Sequence, residues 1–364
     1  MTEASPPEES VYRPGRHGDV DVEPGVVDFA VNVRGSAPDF VRAAIVDACA
    51  HLSSYPAAEH VDAAVAAICA LHQRDQGEVM LLAGAADGFE MLPRLGSRHA
   101  ALIQPSFTEP EIALSAAGIP ITQVVLPPPW HIDPTDIGER IPADADLVVV
   151  GNPTNPTSVL HSRAALDAMR KPGRILVVDE AFADLTVDEV SGEREPQSLA
   201  SLRCDDIVVI RSVTKTFGLA GLRAGYLLAA PAIVEALSRG RRPWPLSTPA
   251  LAALTECVGP AGQRFCDAAA RTVIAERDFM VERLALAGVA VSTEPAAPFV
   301  LIEMPNGLAL KNALRAEGFG VRSCANFVGL GDDHVRLAVR DNATVDTMVD
   351  ALTRVRKDLD DDPR

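Results

Sequence analysis

Two short stretches hold the side chains best suited to chemistry. In ILVVDE, residues 175–180, an apolar run delivers Asp179 to the carboxyl end of an expected strand, the edge at which open α/β sheets bind ligands. In RSVTKTFGLAGLRAGY, residues 211–226, Lys215 stands among hydroxyls and glycines, with Arg223 further along the same segment. An apolar run ending in acid also holds magnesium in nucleoside triphosphatases, but the chain has no phosphate-loop Gly-Lys-Ser/Thr pattern to accompany it. The dinucleotide fingerprint GxGxxG is missing too, since residues 84–88 read GAADG, and that weakens a dehydrogenase reading. A lysine in a hydroxyl-rich loop is commonly solvated surface. The glycines and apolar neighbours here argue for a packed segment, and a desolvated lysine loses its charge easily and forms imines with aldehydes. Asp179, Lys215 and Arg223 together suit a pyridine cofactor. The carboxylate keeps the ring nitrogen protonated, the amine forms the imine and the guanidinium holds a phosphate.

Composition narrows the alternatives. The 364 residues carry 33 basic and 50 acidic side chains, a net charge of −17, so bulk electrostatics repel nucleic acid and anionic membrane. Only four lysines occur, Lys171, Lys215, Lys311 and Lys357, which leaves few candidates for amine chemistry. The six cysteines form no CxxC pair and none stands beside a histidine at metal-ligand spacing, so free thiols in a reducing compartment and no metal are expected. An acidic, Pro-rich start and the lack of any apolar run near the ~18 residues of a membrane span point to a soluble cytoplasmic protein.

The elements that must position these groups follow from periodicity. After an irregular arm over residues 1–26, helical spacing at 39–52 and 58–73 leads into apolar runs at 79–83, 100–103, 121–126, 147–150, 175–178, 207–210 and 226–229. Helix-like stretches lie between several of them, at 85–95 and 109–117. Continuous apolar runs separated by helices predict a mostly parallel sheet covered on both faces, a large α/β domain over 27–245. The remainder, 246–364, reads as a smaller α+β domain: helices at 246–258, 262–287, 306–317 and 345–359, with runs at 289–292, 299–302 and 335–339.

Several separated motifs in this order resemble the class I/II, fold type I pyridoxal-phosphate aminotransferases, over about 17–352. The resemblance is strongest to the group containing histidinol-phosphate aminotransferase and the cobalamin-pathway threonine-phosphate decarboxylase. It implies pyridoxal 5'-phosphate as cofactor, Lys215 as the imine-forming lysine and Asp179 as the pyridinium partner. Asn155, in NPTNPT, resembles the residue that hydrogen-bonds the phenolic oxygen. The turn from Gly84 through Ala85 and Ala86 to Asp87 resembles the one whose backbone amides hold the phosphate, completed by Ser212, Thr214 and Arg223. Phe107, in PSFTEP, takes the place of the aromatic that stacks on the ring. Tyr55, in SYP, resembles the residue that reaches the neighbouring subunit's phosphate, which implies a homodimer. Arg336, in VRLAVR, resembles the arginine that grips the substrate α-carboxylate, with Asn32 beside it.

Two positions depart from the family pattern. Phe182, in DEAF, replaces a tyrosine, which removes one hydrogen bond to the phenolic oxygen, and Ser158 follows NPTNPT where glycine is usual. Phe182, the RSVTK run, PSFTE and the pair His17 and Gly18 resemble the cobalamin branch more than the histidine branch. In that branch the HG segment and the arginine matching Arg322 lie near the substrate's own phosphate, which implies a small phosphorylated amino acid. Aminotransfer is the commoner chemistry on this scaffold and is ranked first. Decarboxylation of O-phosphothreonine is the alternative, and a non-catalytic cofactor-binding regulator the distant one.

Overall fold

The computed structural model describes Gly15, Gly18 and residues 24–361. Its central sheet has seven strands in the order Val79–Leu82, Gly225–Ala229, Ile207–Ser212, Ile175–Asp179, Leu147–Gly151, Ala100–Gln104, Ile121–Val125. Only Gly225–Ala229 runs antiparallel to its neighbours; the other six share one direction, as a mostly parallel sheet requires. The apolar runs are continuous because each strand is buried on both faces, and the period of two divides its side chains between two cores. Val148, Val150, Leu176 and Val178 pack in one cluster, while Leu147, Val149 and Val177 pack in the other.

Helices cover both faces. Asp39–Ala48 and Ala58–His72 each pack on Thr248–Val258, and the three close the first core, whereas Ala85–Met91, Glu109–Ala116 and Pro231–Ser238 supply Phe89, Leu114 and Ile233 to the second. A third cluster surrounds a three-stranded antiparallel sheet, Arg322–Ser323, His334–Ala338 and Phe299–Glu303. It is covered by Gly307–Ala316, by Asn342–Asp361 and by the far end of the 27-residue helix Pro260–Leu286. Val27–Asp28 pairs in parallel with Phe319–Gly320, and Phe29 is buried in this third core.

One expected strand is not formed. Residues 289–292 contribute a single bridge, Val291 to Ile302. Pro295 and Pro298 cannot donate to a ladder, and the chain instead turns toward the 152–158 loop, where the Thr293 hydroxyl donates to the Thr157 carbonyl at 2.6 Å. Among the described residues no helix is long and apolar enough to cross a membrane.

Candidate active site

Six strands sharing one direction bring their carboxyl ends, and the loops that follow, to one edge of the sheet, and there a cavity of about 520 Å³ opens. Asp179 ends its strand inside this cavity, with Gly151 and Ile210 as its neighbours across the ladder. The Ala181 N–H donates to Asp179 Oδ1 at 3.1 Å. Burial pushes the carboxyl up to about 6, against the opposing pull of that N–H and of the Lys215 charge. Lys215 is the one lysine among the cavity-lining residues. Its loop is fixed by buried Val213 and Phe217, by the Ser212 and Thr214 hydroxyls, 2.8 Å apart, and by the Arg34 N–H, which donates to the Lys215 carbonyl at 3.3 Å.

Gly84 and Arg223 form a close pair. Gly84 has φ +83°, and a Cβ there would lie 2.5 Å from Arg223 Nη2, so only glycine lets the guanidinium lie against this turn. Ala85 and Ala86 line the cavity. Asp87 does not: its Oδ2 accepts from the Ala83 N–H at 2.9 Å and from Arg241 at 2.6 Å, which holds the turn from behind. Ser212, Thr214 and Phe107 complete this wall, Phe107 tilted against Phe89 with ring centroids 6.1 Å apart.

The opposite wall comes from the antiparallel sheet. Arg336 Nη1 donates to Asn155 Oδ1 at 2.6 Å, and Nη2 donates to the Ala30 carbonyl. Arg336 Nε is buried without a partner among the described residues, and so is Asn32 Oδ1. Burial, and next the charge of Arg322, push the Arg336 guanidinium down to about 9. Arg322 stands directly across the ladder from Arg336, hydrogen-bonded to Asn326 at 2.6 Å and lying over the Phe327 ring. Two arginines facing each other across a ladder repel. Gly18 lines the same wall, where a Cβ would meet the Ala30 carbonyl at 2.7 Å.

Of the residues named from sequence, the cavity gathers Lys215, Asp179, Asn155, Ala85, Ala86, Phe107, Ser212, Thr214, Arg223, Gly18, Asn32, Arg322 and Arg336. His17 lies outside the described residues. Tyr55 is not at the cavity of its own chain. It is 74% exposed and stacks on Trp244 with centroids 4.1 Å apart. Thr108, Glu109, Ala181 and Phe327 also line the site without having been assigned a role in sequence. Thr108 and Glu109 adjoin Phe107 in PSFTEP and could have been found there, whereas nothing local marks Phe327.

A family model for aminotransferase class I and II matches residues 24–352. The chain belongs to the class I and II aminotransferases. A Mycobacterium tuberculosis protein named histidinol-phosphate aminotransferase is 47% identical over 325 residues, 89% of this chain and 86% of the relative. The crystal structure of the histidinol-phosphate aminotransferase from Clostridium acetobutylicum superposes with a TM-score of 0.83 at 26% identity, covering 92% of this aminotransferase and 100% of that chain. The L-threonine-O-3-phosphate decarboxylase of Porphyromonas gingivalis shares the fold, with a TM-score of 0.77 at 21% identity over 91% of this chain and 100% of its own.

Proposed function

We propose that this aminotransferase uses pyridoxal 5'-phosphate and acts on a small phosphorylated amino compound. The observation that carries the reading is one cavity in which a lone lysine, a buried acid at a strand end and a guanidinium with an unpartnered Nε meet. The residues fit the cofactor: the Gly84 turn has room for Arg223 but for no side chain of its own, and Arg336 and Asn32 keep buried polar atoms for a ligand. Pyridoxal phosphate, when bound, supplies a protonated ring that takes up negative charge developing at a substrate α-carbon.

The chain's own groups do the rest. Asp179, as carboxylate, holds a proton at the ring nitrogen, and Phe107 covers the ring face. Asn155, with Oδ1 committed to Arg336, has its Nδ2 left to donate to the phenolic oxygen. Ser212, Thr214, Arg223 and the amides of the Gly84, Ala85 and Ala86 turn hold the phosphate, with Asp87 bracing that turn. Lys215 attaches the cofactor and then moves the proton at the α-carbon. Arg336 and Asn32 orient the substrate, while Arg322, with Gly18 and His17, receives its phosphate. In a protein of charge −17 such local arginines are what admit an anionic ligand. The names of the relatives, histidinol-phosphate aminotransferases, support a phosphorylated substrate.

We assign Tyr55 to the partner's site in a cytoplasmic homodimer, and its exposure on its own chain supports this. The six free thiols suit a reducing compartment. The arm 1–26, the unit 27–245 and the unit 246–364 remain the proposed division, with Phe29 and Thr248–Val258 each packing across a seam. The test is direct. Purified protein is loaded with pyridoxal phosphate and offered histidinol phosphate or O-phosphothreonine with 2-oxoglutarate. A ketone from histidinol phosphate or a keto acid from O-phosphothreonine, with glutamate, supports transfer, release of carbon dioxide supports the lyase, and no turnover on any candidate supports a regulator. Arg322→Ala should weaken a phosphorylated substrate more than its unphosphorylated analogue, and equal losses in kcat/KM would remove Arg322 from the phosphate.

A further inference from the structure

His161 is 3% exposed and does not line the cavity, yet it grips the loop that carries Asn155. That loop, NPTNPT, contains two prolines and so lacks two backbone donors. Side chains do much of the holding instead. Asn152 Oδ1 accepts from the His161 N–H at 2.8 Å, and Asn152 Nδ2 donates to the His161 carbonyl at 3.1 Å. The imidazole lies between two groups: the Ile132 N–H donates to Nδ1 at 3.4 Å, and Nε2 is 3.1 Å from Thr154 Oγ1. The Thr154 hydroxyl has one proton, given to the Gly151 carbonyl at 2.7 Å. The ring must therefore donate from Nε2 and accept at Nδ1, a neutral tautomer with both nitrogens engaged. A second proton would sit at Nδ1 facing the Ile132 N–H. Burial opposes it, pushing the imidazole down to about 3.

Asn155 follows Thr154 directly and accepts from Arg336 Nη1 at 2.6 Å. We propose that His161 is a positioning residue: acting through Thr154, it fixes Asn155 at the distance that serves both the cofactor's phenolic oxygen and the Arg336 guanidinium. The inference rests on the cofactor reading above. Its consequence differs from that of a packing residue. A hydrogen bond donated by Asn155 stabilises the phenolic oxygen as an anion, so a misplaced Asn155 raises the pH at which the bound cofactor's visible band changes. It also loosens Arg336, which weakens substrate binding.

The experiment titrates the visible band of the loaded protein with pH and measures KM and kcat. In His161→Leu the midpoint should rise by about one pH unit, the scale of one charge-assisted hydrogen bond. KM should rise on the order of tenfold, with a smaller fall in kcat, as when a supporting partner of a direct ligand is lost. His161→Gln, which can still donate to Thr154, should return both toward wild type. A folded His161→Leu with the wild-type midpoint and KM overturns the proposal. Should that variant not fold, Thr154→Val removes the linking oxygen at constant shape and carries the same expectation, and unchanged values there overturn it equally. Wild type that takes up no pyridoxal phosphate sinks the cofactor reading itself, and does so before any variant is compared.

Discussion

At Asp179 the demands of folding and of chemistry oppose each other. Its carboxyl is raised from 3.8 to about 6, chiefly by burial. A carboxyl raised on folding leaves stability untouched below its unfolded pKa, removes stability as pH climbs from there to the folded pKa, and removes a constant amount above it. The gap is worth about 3 kcal/mol. Cofactor-free Asp179→Asn should therefore outlast wild type in urea at pH 7 and match it near pH 4, while losing aminotransferase turnover. Coincident urea midpoints at pH 7 would show that burial of this charge is not costly. Lys215→Ala should let pyridoxal phosphate wash out on desalting. Arginine replacements of Lys171, Lys311 or Lys357 should keep it, since Lys171 bonds the Ala143 carbonyl and Lys311 belongs to a helix on the third core. Borohydride reduction and peptide mass mapping read the attachment, and cofactor found on any other lysine refutes the assignment. That both residues reach the cavity was legible in sequence, because scarcity and an adjacent apolar run single them out. The places of Phe327 in the cavity wall and of His161 against the NPTNPT loop were not, because each depends on partners that only the tertiary fold brings near.

Elements carry the next layer, and Ser158 shows how one position can join two of them. It stands where this family usually has glycine, and its φ of +64° explains that preference. The serine has its own reason. Its Oγ accepts from the Ala297 N–H at 2.8 Å and its carbonyl accepts from the Ala296 N–H at 2.8 Å, which ties the NPTNPT loop to the segment entering Phe299–Glu303. Left-handed backbone costs a non-glycine residue about 1–2 kcal/mol, and a buried N–H left unpaired costs about 1–3 kcal/mol. Ser158→Gly gives up the bond but relieves the backbone and should change unfolding stability by less than about 1 kcal/mol. Ser158→Ala keeps the strained φ, orphans Ala297 and should lose about 2 kcal/mol. A Ser158→Ala midpoint as high as that of Ser158→Gly would mean the hydroxyl contributes nothing. Sequence exposed the departure at Ser158 but not its partner, because the partner lies far away in the chain. For the same reason the apolar runs located the strands, while the antiparallel sense of Gly225–Ala229 and the loss of the 289–292 run depend on pairings that periodicity does not encode. Pro231–Ser238 also went unread, its apolar face being legible only once the sheet it covers is in place.

Over the whole molecule, the proposed homodimer rests on the exposed stack of Tyr55 on Trp244. Tyr55 is 74% and Trp244 51% exposed, with Leu52 at 64% nearby in sequence, and large apolar side chains left open together mark contact surfaces. Arg241, three residues before Trp244, pairs with Asp87 behind the Gly84 turn, so the segment bearing this stack also braces the proposed phosphate cup. If Tyr55 serves the partner's site, activity can be divided between two defective chains. Tyr55→Ala should lose cofactor affinity and turnover, and Lys215→Ala should lose turnover outright. When the two variants are unfolded together and refolded, each mixed dimer regains one intact site, with Lys215 from one chain and Tyr55 from the other. With random pairing, half the dimers are mixed and half their sites are whole, so activity should recover to roughly a quarter of wild type. Recovery that never exceeds the sum of the two variants refolded apart would place Tyr55 in the service of its own chain, or of none.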